Sequence, residues 1–239
     1  MDRLGFVLVD CLKGGKIMFL RRKSFGLGQN LLALGVGSAG LWALSGVQRA
    51  DSIDVLIEPV IRVEEDWTLV LNEPDNAVDS PQFHTVMSPD NHLESYYAQV
   101  TWNYKQQPDF TSGGLELSAC DGEEALRSRS VETRQLSTSA ETITWSQSLE
   151  TDGTALKFTV FNGNGSTWGT FGKDMTIDMD AYLPLLNAYN SYVSQENSCI
   201  TYGTNRVDLL MITQVRRYGV SGLLSTDNTP RIVFDLGGE

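Results

Sequence analysis

The sequence predicts an all-β chain: an antiparallel two-sheet sandwich of the jelly-roll, concanavalin-like kind with about nine or ten strands. Three observations predict it. Apolar and polar residues alternate with period two in segment after segment from Trp67 onward. Turn clusters such as Ser112-Gly113-Gly114, Asp121-Gly122, Asp152-Gly153 and Asn162-Gly163-Asn164-Gly165 separate these runs. Helical spacing of apolar residues is hinted at in a single segment, Ala181 to Glu196, where Pro184, Asn187 and Asn190 leave a long ordered loop equally open.

The elements follow in chain order. Trp67–Leu71 and Phe83–Met87 read as the first strands. In Leu93 to Lys105, Tyr96, Ala98, Val100, Trp102 and Tyr104 share one face and Gln99, Thr101 and Asn103 the other. Ile143, Trp145 and Leu149 alternate against Thr142, Thr144, Ser146 and Ser148; Leu156, Phe158 and Val160 form a further run. Met175, Ile177 and Met179 alternate with Asp174, Thr176, Asp178 and Asp180. Val207 to Val215 is apolar on both phases, which predicts a strand covered on both sides. Arg231 to Leu236 reads as a short last strand. Residues 66–239 thus form one domain of about 170 residues behind a short arm, residues 51–65; a chain of that size buries roughly 70% of its unfolded surface and folds without a metal or disulfide.

Residues 1–50 have a different composition. Arg21-Arg22-Lys23 precede an uncharged stretch from Ser24 to Gln48, the order of charged and apolar regions in an export signal, and Met18 is placed as the true start behind an N-terminal extension. Arg21-Arg22-Lys23-Ser24-Phe25 also fits a twin-arginine route. An uncleaved anchor is the alternative, since about 20 apolar residues span a bilayer, although five glycines between Gly26 and Gly40 weaken a packed membrane helix. Either way residues 51–239 are expected outside the cytoplasm, in the periplasm, on the cell surface or in the medium.

The net charge of the 239 residues is −12, and residues 51–239 alone hold 11 Lys/Arg against 28 Asp/Glu, a net of −17. Such a surface repels phosphate backbones and gains nothing from counterion release, which excludes nucleic acid as a partner; no membrane contact is expected beyond the export signal. Many carboxylates make Ca²⁺ a candidate ligand. Of Cys11, Cys120 and Cys199, the first lies in the export region. Cys120 and Cys199 are either a bridge closing a loop of roughly 80 residues, worth about 4.5 kcal/mol, or two unpaired thiols.

Glu64-Glu65-Asp66-Trp67 leading into the first strand, the loop Gly165-Ser166-Thr167-Trp168-Gly169, and Asn205-Arg206-Val207 opening a late strand carry a resemblance. Through them residues 66–236 resemble exported bacterial proteins of unknown function built on the concanavalin-like, lectin-type jelly roll. The resemblance implies the sandwich and no particular chemistry.

Four constellations are candidates for chemistry. The loop Asn72 to Asp79 offers Asp75 and Asp79 as hard oxygen ligands for Ca²⁺, with Asp90 and Glu94 available from the next loop, or is a solvated acidic loop. Asp174, Asp178 and Asp180 on one strand face would be the carboxylates of a glycoside hydrolase, which needs an acid and a nucleophile about 5–5.5 Å apart for retention. Trp168 with Asn162 and Asn164, and Tyr189 with Asn190, supply the aromatic faces and amides that read sugars, or close the ends of a sandwich. His84 and His92, the two histidines, have no G-x-S-x-G elbow to serve. The first reading is therefore an exported, non-catalytic domain that recognises carbohydrate or cell-envelope material. The second is a structural or interaction domain of the cell surface, and the third is a glycoside-acting enzyme.

Overall fold

The computed structural model describes residues 58–72, 81–103, 114–122, 124–132, 141–166, 169–173 and 175–237. Among them the strands are β1 (Arg62–Leu71), β2 (Gln82–Met87), β3 (Tyr96–Asn103), β4 (Leu115–Asp121), β5 (Glu124–Glu132), β6 (Glu141–Thr151), β7 (Ala155–Gly165), β8 (Gly169–Phe171), β9 (Met175–Asp180), β10 (Cys199–Tyr202), β11 (Val207–Gly219), β12 (Gly222–Asp227) and β13 (Arg231–Asp235). One short helix, α1 (Ser191–Asn197), precedes β10, and a 3₁₀ turn, Thr204–Arg206, follows it. One sheet has eight strands, ordered β12-β11-β1-β6-β7-β8, with β13 beside β11 and β9 beside β7. The other has five, ordered β10-β2-β3-β4-β5. Every pairing is antiparallel.

The all-β sandwich is as the alternation predicts, but with more strands than nine or ten. β8 and β10 are three and four residues long, too short to display a period, and β12 is exposed along most of its length, so its composition carries no alternation. The first strand also starts at Arg62, five residues before Trp67. β11 corrects a second expectation. Its buried residues are Val207, Leu210, Ile212 and Val215, while Leu209 and Met211 are half-buried on the outer face. The β1–β11 register slips twice, leaving Asp208 and Thr213 as extra residues on β11. Each bulge reverses which parity points inward, so a strand buried on one face looks apolar on both phases.

The centre of the core is aromatic. Trp67 and Trp145 are register partners across β1 and β6, and their rings stack at 5.8 Å and 9°. On the facing sheet Phe83 and Trp102 are partners across β2 and β3 and stack at 5.4 Å and 9°. Trp102 meets Trp145 across the sandwich at 4.4 Å, and Phe171 of β8 closes edge-on against Trp102 at 5.6 Å. Two stacked cross-strand pairs, one from each sheet, therefore interlock where the sheets meet.

Phe171 is placed there by glycines. A Cβ on Gly163 would fall 2.3 Å from the Phe171 ring, so the β7 backbone itself forms the floor of that ring's site. Gly172 follows with φ of +94°, and a Cβ there would come within 2.8 Å of the Phe161 Cα. Gly172→Ala combines a left-handed backbone with a backbone clash and should cost about 1–3 kcal/mol, read as a lowered denaturation midpoint at unchanged m-value. An unchanged midpoint would refute this geometry of the β8 turn.

Ala181–Asn190 runs as a strap without regular structure, and only then does α1 begin, with the Asn190 side chain accepting from the Tyr192 amide as its N-cap. The helical spacing read across Ala181–Glu196 is thus real for its last residues alone. The strap is fastened to the sheet by the Ala181 amide on the Thr154 carbonyl, the Leu186 amide on the Val60 carbonyl at 2.7 Å, and the Val60 amide on Asn187 Oδ1 at 2.8 Å. Among the described residues no helix is long and apolar enough to cross a membrane.

Candidate functional site

β1 places three consecutive acids, Glu64, Glu65 and Asp66, in the middle of the larger sheet. The strand's period of two sends them to opposite sides: Val63, Glu65, Trp67 and Leu69 face the core, Arg62, Glu64, Asp66 and Thr68 the outer face. The outer face of β1 meets Arg216 and Tyr218 of β11 on one side and Ser146 and Ser148 of β6 on the other, which are direct register partners.

There Arg216 joins the two outer carboxylates. Its Nε donates to Glu64 Oε2 at 2.9 Å, Nη1 to Asp66 Oδ2 at 2.5 Å and Nη2 to Asp66 Oδ1 at 2.7 Å, and Nη1 also reaches Gln214 Oε1. Tyr218 donates to Glu64 at 2.8 Å, and Ser146 Oγ donates to Asp66 Oδ1 at 2.7 Å. The hydrogen bonds to Asp66, and then to Glu64, hold the Arg216 guanidinium above its ordinary value against its partial burial. Arg62 stands 3.4 Å from Glu64 and over the Tyr218 ring, so two cations face two anions.

This cluster edges a polar pocket of about 320 Å³ lined by Asp66, Thr68, Thr144, Ser146, Asn162, Thr213 and Arg216, with Trp67 and Trp145. Two bulges frame it. On β11 the extra residue is Thr213, whose hydroxyl donates to the Asp66 carbonyl at 3.1 Å. On β7 the register slips against β6 between Thr144 and Ser146, and Asn162 sits in the slip with φ of 53°, the one positive φ at a non-glycine among the described residues. Bulges and left-handed side-chain-bearing residues re-aim groups beside functional sites. A larger depression of about 510 Å³ at the other end of β1 is lined by Val70, Leu209, Leu236 and Gly237, with Asp208 already bound to Asn72.

Counting acceptors shows what the pocket has left over. A carboxylate offers about four acceptor positions and an arginine five N–H donors. Asp66 uses three positions, one for Ser146 and two for Arg216; Arg216 uses four donors, one on Glu64, two on Asp66 and one on Gln214. One acceptor on a carboxylate whose side chain is 28% exposed therefore lies beside one donor on a fixed cation.

The inner side of the same strand is different. Glu65 is fully buried, and its carboxylate accepts from Trp67 Nε1 at 3.0 Å, from Gln147 Nε2 at 2.9 Å and from the Tyr189 hydroxyl. Gln147 in turn accepts from Thr85 of the facing sheet at 2.8 Å. Burial pushes the Glu65 carboxyl above the ordinary carboxylate range, opposed by the bonds from Tyr189, Gln147 and Trp67. Tyr189 is raised well above its ordinary value by burial and then by the Glu65 charge.

Of the residues singled out in the sequence that the structure describes, Asn162 lines the pocket and the others do not. Asn164 is exposed further along β7, Asn190 caps α1, and Tyr189 is 4% exposed with its ring in the core, so it offers no face to a sugar. Trp168, Asp174, Asp75 and Asp79 lie outside the described residues. Asp178 and Asp180 are exposed on the outer face of β9, with Asp178 opposite Lys157. That puts them three strands from β1, about 14 Å from the Asp66 cluster. Asp90 accepts from Ser95 at 3.0 Å. His84, pushed down to about 4 by burial, lies 2.9 Å from Cys199 Sγ, and His92 is exposed in the next loop. Cys120 is a free, buried thiol on β4, three strands from the β10 residue Cys199, so the Cys120–Cys199 bridge is not formed. Sequence pattern gives Asp66, Ser146, Thr213 and Arg216 no chemical role; Asp66 stands out there only in the acidic lead-in to the first strand and Ser146 only on the polar phase of its strand.

No protein-family model matches the chain, and no curated protein does. Among solved structures it is similar in outline to a scytalido-glutamic peptidase bound to a peptide-based transition-state analogue, at 10% identity and a TM-score of 0.35, covering 72% of this chain and 82% of that one. It is similar also to SCP-B, a member of the Eqolisin family of peptidases in a complex with the tripeptide Ala-Ile-His, at 11% identity and a TM-score of 0.32, covering 72% and 81%. Both are peptidases. Tyr189 is buried and Asn190 is spent on a helix cap, so neither offers a face to a sugar, which corrects the expectation of a non-catalytic domain that recognises carbohydrate or envelope material.

Proposed function

We propose that the chain is a hydrolase working from the outer face of its larger sheet, with Asp66 as the carboxylate that takes a proton from the attacking water. The observation that carries this reading is the open acceptor on Asp66 beside the open donor on Arg216 in one polar pocket. A water held on the free Asp66 position would lose its proton to the carboxylate as it attacks, while the remaining Arg216 N–H faces the developing oxyanion. Ser146 and Arg216 fix the carboxylate, so little reorganisation is needed during the reaction. Asn162, aimed by its left-handed backbone, and Thr213 on the opposite bulge would position a polar substrate such as a peptide or glycoside. The basic, apolar composition of residues 21–48 supports export as the setting for this activity.

The test is hydrolysis of a panel of peptide and glycosidic substrates by the full chain between pH 3 and 8. Asp66→Asn keeps the shape and the Ser146 contact but removes the base, and should lower turnover about 10²-fold or more. Unchanged turnover in that variant, or no hydrolysis anywhere in the panel, would sink the proposal.

A further inference from the structure

We infer that Glu65 is a proton-operated latch: carrying its proton it holds the strap Ala181–Asn190 closed over the inside of the sandwich, and losing it releases the strap to water. The inference stands apart from the Asp66 pocket, which lies on the other face of the sheet. Glu65 is the one fully buried acid among the described residues, and the group on its Oε1 is the hydroxyl of Tyr189 at the end of the strap. The same carboxylate is tied through Gln147 to Thr85 of the facing sheet, so one titratable group joins β1, β6, β2 and the strap.

The surroundings decide what its charge does. From β6 it meets Gln147, from β2 Thr85, and from its own strand the Trp67 indole, all uncharged. α1 turns the uncharged Ser194 toward it. From the strap comes Tyr189, and the half-buried Arg217 of β11 lies 5.7 Å from the centre of the Tyr189 ring. Glu64 and Asp66 point to the opposite face of β1, and His84 to the opposite face of β2 from Thr85. Among the described residues no cation bonds to the carboxylate, so its charged form is held there by neutral donors, whereas water would solvate it fully if the strap lifted.

Linkage gives the direction. With the strap open, Glu65 is an ordinary carboxyl near 4.5; with it closed, burial raises that value. The closed form therefore binds the proton more tightly. Its advantage is complete below the open-state value and fades as pH rises through the closed-state one, by up to tenfold in the closing equilibrium per pH unit between the two. His84 acts with the opposite sign, since burial lowers it to about 4 and its neutral form is favoured as pH rises. Global unfolding therefore mixes the two groups, and a local measurement is required.

That measurement is amide hydrogen exchange on the full chain at several pH values from 4.5 to 8, corrected for intrinsic rates. The reporters are the Leu186 and Tyr189 amides, which bond to Val60 and Leu186 carbonyls, against β1 and β6 amides as the core reference. In the wild type the strap amides should lose at least tenfold protection across the range with the core unchanged. Glu65→Gln, neutral at every pH, should flatten the profile to within about twofold. Tyr189→Phe should lower strap protection already at pH 4.5. A flat wild-type profile, equal loss in strap and core, or the wild-type slope persisting in Glu65→Gln would each overturn the latch. Should Glu65→Gln not fold, the wild-type contrast between strap and core decides alone.

Discussion

Trp145→Ala should lower the stability of the domain by about 3–5 kcal/mol, the range for removing a large aromatic from a packed core. Trp145 is 2% exposed and touches three other rings: Trp67 in its own sheet, and Trp102 and Phe83 in the facing one. Trp102 is the matching ring of the facing sheet, with Phe83, Trp145 and Phe171 as its partners. Its removal leaves a cavity bounded by two rigid sheets, which cannot collapse to fill it. Trp145→Phe keeps most of the contact and should cost under half as much. Its indole N–H has no hydrogen-bond partner, so replacing it by Phe loses no bond, and the difference between the variants measures packing alone. Urea titrations followed by far-ultraviolet circular dichroism report both, and equal losses would show that the stack contributes little.

How much of this could be seen in the sequence depends on what each residue type advertises. The aromatic centre was legible: Trp102 and Trp145 fall on the apolar phase of cleanly alternating segments, and both are buried. β11 was misread because period two has no way to show a bulge. Two insertions of one residue each exchange the inner and outer phases, and a half-buried strand then looks apolar throughout. The site was hidden for a related reason. Three adjacent acids look like the solvated approach to a strand, so Glu64–Asp66 were placed before β1 and not within it. One signal was available. Gln147 occupies the inner phase between Trp145 and Leu149, and a lone amide in an apolar row needs a buried partner; Glu65 directly across the β1–β6 ladder is that partner. No comparable mark pointed to Arg216, whose role depends on a pairing between residues 150 positions apart. Composition alone points to Tyr189 as a sugar-facing ring, and composition does not distinguish an exposed Tyr189 from one whose hydroxyl is turned inward onto a carboxylate.

Arg216→Met separates the structural from the chemical part of the outer-face cluster. Met keeps much of the side-chain volume but leaves Glu64 and Asp66, two residues apart on one strand face, without their shared cation; Arg62 at 3.4 Å from Glu64 is then the remaining counter-charge. Glu64 is 10% exposed in its side chain and cannot recover full hydration. The expected loss is about 2–4 kcal/mol, less than for a wholly buried pair because Asp66 is partly in water. That loss arises from unpaired anions and not from missing contacts, so it should be reversible by removing the anions. Arg216→Met combined with Glu64→Gln and Asp66→Asn replaces the ionic set with neutral groups of similar shape and should return to within about 1 kcal/mol of the wild type. Hydrolysis should respond otherwise: Arg216→Met should be inactive, and the triple variant, though stable again, should stay inactive, because it lacks both the base and the oxyanion donor. If stability and turnover recover together, the cluster holds the sheet and does no chemistry. If stability stays low in the triple variant, Arg216 acts through packing of its stem on β1 and not through its charge.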